Sequence, residues 1–246
     1  MVKGFLDGMT AYGKALSLIS ELRLWNYLII PAALSLLLGA GIFATAWGLS
    51  DNIGALLISV YPWEWGAAVV AKIAEITGGL LVGIIGLLLY KNLTIILVGP
   101  FMSPLSEKVE MALTGTPASG FSLAQMISDF VRGLRIALRN IIREIFYTLL
   151  LLLLSLFPVF APFTTVLIFL VQAFYAGFGN FDFYLERHLR VRESVAFARQ
   201  NKGLMMGNGA VFLLLLLTGI GFLFAPTLGA VAATMEGVKK ISRQAA

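Results

Sequence analysis

The chain has 246 residues, of which 59% are hydrophobic and 13% charged, with no cysteine and one histidine. A soluble domain is nearer half apolar and a quarter charged, so an ordinary cytosolic enzyme, a disordered chain and a disulfide scaffold are excluded. The net charge of +5 is unevenly spread, and no metal or other cofactor is expected from a chain with a single His188 and no thiol.

Four stretches, 24–50, 92–106, 145–181 and 203–235, carry no Asp, Glu, Lys, Arg or His. A crossing helix needs about 20 apolar residues, so an all-α integral membrane protein is predicted. Residues 1–23 hold Lys3, Asp7, Lys14 and Glu21 among apolar residues and read as an amphipathic helix on the membrane surface. They lack the pattern of a cleaved signal peptide. A first long helix is expected within 24–50, with Trp25, Tyr27 and Trp47 at headgroup level. Residues 51–65, with Pro62, Trp63 and Trp65, read as an external interfacial stretch. A second long helix occupies 67–106, with an end near Gly99-Pro100 and a new turn starting at Pro104.

Residues 107–144 form an amphipathic basic region. Arg132, Arg135, Arg139 and Arg143 share one helical face, opposite Phe130, Leu134, Ile136, Ala137, Leu138 and Ile141. Such a stripe suits either anionic headgroups or an electropositive vestibule that concentrates anions. Residues 145–181 are interrupted at Pro158 and Pro162, and 203–235 near Pro226. Sixteen of the 18 Lys and Arg lie in 1–23, 107–144, 182–202 and 237–246. The positive-inside tendency puts all four of these stretches in the cytoplasm. The two intervening apolar segments then read as hairpins that enter the membrane and return, or else as two full crossings each.

Lys91 interrupts an otherwise apolar helix beside Asn92 and Thr94, and reads either as lining a pore or site or as a snorkelling or paired structural lysine. Asp182 reads as the partner of a nearby arginine, with gating as the alternative. Glu107 and Glu110, with the arginine stripe, form a candidate constriction, and Arg187 belongs to a second basic cluster with His188, Arg190, Arg192, Arg199 and Lys202. No P-loop, HExxH motif, intramembrane carboxylate pair or credible Ser/His/Asp set is present, so neither an enzyme nor an ATP-driven pump is expected.

The run from Gly99-Pro-Phe-Met-Ser-Pro to Glu107-Lys-Val-Glu110, followed by Leu113-Thr-Gly115, resembles the bacterial sulfate permease family CysZ, of the etoposide-induced-protein-like superfamily. So do 21–31, the Asp182…Arg187…Arg192-Glu-Ser…Phe197…Arg199 element, and 225–234. The resemblance implies two long transmembrane helices, two partly inserted hairpins, a homo-oligomer, and sulfate uptake without ATP for cysteine biosynthesis at the bacterial inner membrane. It also implies an anion site of backbone amides and arginine, at Leu22, Arg23 and Leu24 here. Glu21 stands where the family has glycine, Leu24 where it often has a second arginine, and 181–184 lacks its proline.

A passive route for sulfate or a related oxyanion is therefore expected, with lipid and other copies of the chain as partners and no nucleic acid. The rival readings are a membrane-remodelling scaffold without transport and a channel for another anion.

Overall fold

The computed structural model describes residues 1–59, 67–116, 123–155, 157, 159–218 and 220–245, with side chains outside 46–85, 123–126, 129–130 and 243–245. Residues 60–66 with Pro62, Trp63 and Trp65, Pro158, and the side chains of Trp47 and Phe130 lie outside the described residues. The described chain is helical throughout: α1 Val2–Glu21, α2 Asn26–Ser59, α3 Ala67–Thr114, α4 Leu123–Ser155, α5 Ala161–His188, α6 Val191–Gln200, α7 Lys202–Leu216 and α8 Gly221–Ala245. Among the described residues, four stretches are long and apolar enough to cross a membrane: Asn26–Thr45, Gly86–Thr114, Ala161–His188 and Gly221–Ser242. This is the all-α membrane protein that composition predicts.

Several boundaries differ from the sequence expectations. Helix α2 runs past residue 50 to Ser59, because 51–59 contains no proline to stop it. Helix α3 continues through Pro100 and Pro104 to Thr114. Each proline costs one backbone hydrogen bond, but an unravelled segment in an apolar solvent would leave many unpaired. The face carrying Val98, Met102, Leu105 and Val109 stays buried along that length. Gly115, at φ 74, ends the helix and donates its N–H to Met111 O at 2.8 Å. The basic region and the first arm of the first hairpin form one 33-residue helix, α4.

The second break is also displaced. Pro226 lies inside α8, and α7 ends instead at Leu216, with Leu217 and Thr218 bonded back to its last carbonyls. The Thr218 hydroxyl accepts the Gly221 N–H at 3.0 Å and caps the start of α8. The arms are therefore a 15-residue α7 and a 25-residue α8. At 1.5 Å per residue these span about 22 and 37 Å, so only α8 can cross a core of roughly 30 Å. The first break falls where expected, with Pro162 in the opening turn of α5.

Helix α1 also departs from expectation. Its buried stripe of Gly8, Ala11, Tyr12, Ala15 and Ile19 packs on α7 and α8 rather than on lipid. Gly4 and Gly8 of α1 meet Gly203 and Gly207 of α7, each pair four residues apart. Small residues at this spacing let backbones approach closely. The other side of α7 repeats the device: a Cβ at Gly209 would overlap Ala173 O of α5, and one at Gly177 would overlap Met205 O. Tyr12 donates to Asn208 O at 2.9 Å, and burial pushes its phenol pKa well above the usual value.

The outward surface is apolar. Leu37 and Phe43 of α2, Ile142, Phe146 and Leu153 of α4, and Phe157, Val159, Phe163, Leu217 and Ile220 around the two turns are all exposed.

If the glycine crossing holds α1 on α7, Gly207→Ala must overpack it and cost about 1–3 kcal/mol. A melt followed by tryptophan fluorescence in detergent should show a lower Tm. Gly13→Ala, with open space at the position, should melt no lower than wild type. Equal melting of Gly207→Ala and wild type would contradict the crossing.

Candidate functional site

Helix α4 turns its polar side inward. Ile136, Asn140, Glu144 and Thr148, one every fourth residue, are buried, and Arg132 extends the same ridge. Arg135 and Arg143 are exposed, while Arg139 is partly buried and donates to Asn140 Oδ1 at 3.0 Å. Burial, then the charge of Arg143, lower the Arg139 pKa. The predicted arginine stripe thus contributes one end member, Arg132, to the interior.

Arg132 bonds Asp182 Oδ1 at 3.2 Å, Ser194 Oγ at 2.8 Å and Leu189 O at 3.0 Å, and lies 4.0 Å from Glu186. Asp182 is therefore an arginine partner, the first of its two readings. Glu186 accepts the Ser103 hydroxyl. Two turns along α3, Glu110 holds Arg187 at 2.9 Å and His188 Nε2 at 2.6 Å. Arg187 also donates to Ser106 Oγ at 2.8 Å, and Ser106 shares a 2.8 Å hydrogen bond with Thr234 of α8. The charges expected to pair with one another find other partners: Glu110 pairs with Arg187 of α5, while the stripe residue Arg132 pairs with Asp182. Glu107 is half-buried on α3 beside this belt.

Lys91 is fully buried and pairs with Glu144 of α4, so snorkelling is excluded. Its ammonium also donates to Gln172 O of α5 at 3.5 Å, and Asn92 Nδ2 donates to Glu144 Oε2 at 3.4 Å. The sequence reading missed Glu144 because it sits at the end of the basic region. The fourfold series Arg132, Ile136, Asn140, Glu144, Thr148 was the available signal.

Residues 22–25 form the turn between α1 and α2. Arg23 adopts φ 54, the left-handed region that usually falls to glycine. The N–H groups of Leu22, Arg23 and Leu24 donate to the carbonyls of Leu18, Ser20 and Ile19 at 2.9, 3.2 and 2.9 Å. The backbone donors implied at Leu22–Leu24 are thus committed to ending α1. Leu24 is buried, whereas the Arg23 side chain is exposed. The amides of Trp25 and Asn26, at the start of α2, have no partner among the described residues. Tyr27 lies under Lys108 Nζ, 5.0 Å from its ring centroid, so this turn adjoins the charged end of α3.

These contacts gather the basic stretches at one end of the molecule. Lys108 meets Tyr27, Arg187 meets Glu110, Arg132 meets Asp182, and Tyr184 packs against Gly237 near the end of α8. The family model described as sulfate transporter CysZ/etoposide-induced protein 2.4 matches residues 11–226. No curated protein matches the chain.

Arg132→Ala leaves Asp182, whose side chain is 7% exposed, without its cation. A loss of about 3 kcal/mol is expected, read as a lower denaturation midpoint in detergent, with most of it recovered in Arg132→Met/Asp182→Asn. Wild-type stability of the single variant would contradict the pairing.

Proposed function

This chain belongs to the sulfate transporter CysZ/etoposide-induced protein 2.4 family, and we propose that it is a passive, ATP-independent permease for sulfate or a related oxyanion. Its setting is the bacterial inner membrane, its form a homo-oligomer, and its product sulfate for cysteine synthesis. Sulfate carries two charges and strips of water reluctantly, so a route through lipid needs fixed donors and cations. The observation that supports the reading is the exposed Arg23 in a turn whose neighbour Tyr27 lies under Lys108, together with the unpartnered amides opening α2. A guanidinium and a helix N-terminus suit an oxyanion through N–H donors and the positive end of the dipole. Arg23 is then the mouth of the route, and Leu22 and Leu24 shape the turn that presents it.

The paired charges further in, Arg132 with Asp182 and Arg187 with Glu110, suit conduction because a balanced wall does not trap a dianion. The hairpins enter from the basic side. Their turns suit an apolar environment, since Phe160 N–H bonds Phe157 O at 2.9 Å and Thr218 N–H bonds Leu215 O at 3.1 Å. The same apolar tips, with α7 too short to cross, favour a second reading in which the chain wedges lipids without transport. Flux separates the two, and comparison of sulfate, phosphate and chloride separates sulfate from another anion.

Purified protein in vesicles should take up labelled sulfate down its gradient. Arg23→Ala should lower the initial rate about tenfold, the worth of one charge-assisted hydrogen bond. Unchanged uptake in the variant removes Arg23 from the route, and no uptake by wild type removes the transport reading.

A further inference from the structure

Arg139, Arg143 and Arg199 take no part in the paired belt, yet the packing of their helices brings them together. Helix α5 runs antiparallel to α4: Asp182 bonds Arg132 at one end, and at the other Gln172 O receives the Lys91 ammonium that pairs with Glu144. Tyr175 therefore stands opposite the turn from Arg139 to Arg143. Helix α6 runs alongside α4, since Ser194 bonds Arg132 and Ala198 shares a buried cluster with Ile136. Its last turn carries Arg199 to the level of Arg139. Burial lowers the Arg139 pKa most, and the positive charges of Arg143 and then Arg199 lower it further, as expected where three cations converge. No carboxylate answers them. Arg143 and Arg199 are exposed and have no hydrogen bond or ion pair among the described residues, and Arg139 spends one N–H on Asn140. Glu144 is committed to Lys91, and Glu193 of α6 to the Arg190 N–H. Tyr175 is 9% exposed, and its hydroxyl has no hydrogen-bond partner among the described residues.

The depth of the cluster indicates which anion completes it. Arg143 is the last exposed charge of α4: residues 145–155 carry none, and Phe146, Leu149, Leu150 and Leu153 face outward. Tyr147 is exposed one turn beyond Arg143, as suits an aromatic at the membrane interface. The cluster thus sits where a bilayer changes from headgroup to acyl chain. We propose that Arg139, Arg143, Arg199 and Tyr175 form a binding site for the phosphate of an anionic membrane lipid, between α4, α5 and α6. Guanidinium forks hold phosphate oxygens bidentately, and the phenol donates one further bond. The acyl chains lie along the apolar face of α4 from Phe146 to Leu153. A zwitterionic headgroup would add its own cation to the three already there, so the site selects net negative charge. It rests on the membrane setting of the chain and not on the permease reading, and no arm of its test requires flux.

The test uses the full chain in detergent micelles, with phosphatidylglycerol as probe and phosphatidylcholine as control, read as the lipid fraction that gives half the rise in Tm. Phosphatidylglycerol should raise Tm and phosphatidylcholine should not. Arg143→Gln and Arg199→Gln each remove one of three mutually repelling cations, so without lipid they should melt no lower than wild type. Each should nevertheless need about tenfold more phosphatidylglycerol, the worth of one charge-assisted hydrogen bond. Tyr175→Phe should need about threefold more, the loss of one weaker donor. Lys14→Gln removes an equal charge from the exposed side of α1, which packs on α7 and α8, and should leave the half-effect fraction in place. Either arginine variant melting below wild type without lipid, a half-effect fraction unmoved in either, or an equal shift in Lys14→Gln overturns the site. Sodium phosphate, against sodium chloride of equal ionic strength, should not move Tm. A rise with phosphate that Arg143→Gln removes assigns the cluster to a soluble oxyanion and overturns the lipid.

Discussion

The structure depends on one constraint, that a polar group facing an apolar solvent must find its partner within the protein. Helix α4 is built to that rule in reverse of a soluble helix. Ile142, Phe146 and Leu153 point outward, while Asn140, Glu144 and Thr148 point in. In water this arrangement would expose a greasy ridge and bury a costly polar one. Against lipid it is the sensible orientation, and it obliges α3 and α5 to supply partners. Lys91 answers Glu144, and Asp182 answers Arg132.

Supplying those partners requires α5 to sit close and straight, and glycine provides this. Gly177 and Gly209 allow the α5 and α7 backbones to touch, and Gly203 and Gly207 do the same for α7 and α1. The crossing fixes the end of α5 from Asp182 to His188 against α3. Asn208 joins the arrangement, bonding Asn180 at 2.9 Å and accepting Tyr12 through its carbonyl. Van der Waals contact between backbones thus positions an electrostatic belt several turns away.

Much of this was legible from residue order. The charge-free stretches marked the membrane segments, the distribution of lysine and arginine gave the polarity of the molecule, and Lys91 stood out as a charge out of place. Asp182 was readable as an arginine partner, though not whose. Other features were hidden for physical reasons. Pro226 looks like a break, but neighbouring helices support α8 through it, while Thr218 supplies the actual cap. Amphipathic α1 looks like a surface helix because sequence cannot distinguish a stripe covered by lipid from one covered by α7. The glycine spacing 4/8 and 203/207 held that information, but only as a pair. Glu144 was masked by the arginines beside it, whose own periodicity drew attention to the wrong face. At Arg23 the backbone amides look available until the left-handed turn spends them on α1.

The claim on which the rest stands is the inside-out orientation of α4 and the turns beside it. The chain has no cysteine, so single cysteines carrying a spin label report one position each. In lipid vesicles, labels at Ile142, Phe146, Leu153 and Phe163 should be relaxed strongly by oxygen dissolved in the bilayer and weakly by a water-soluble nickel chelate. The reverse ranking at these positions, chelate over oxygen, would contradict the account.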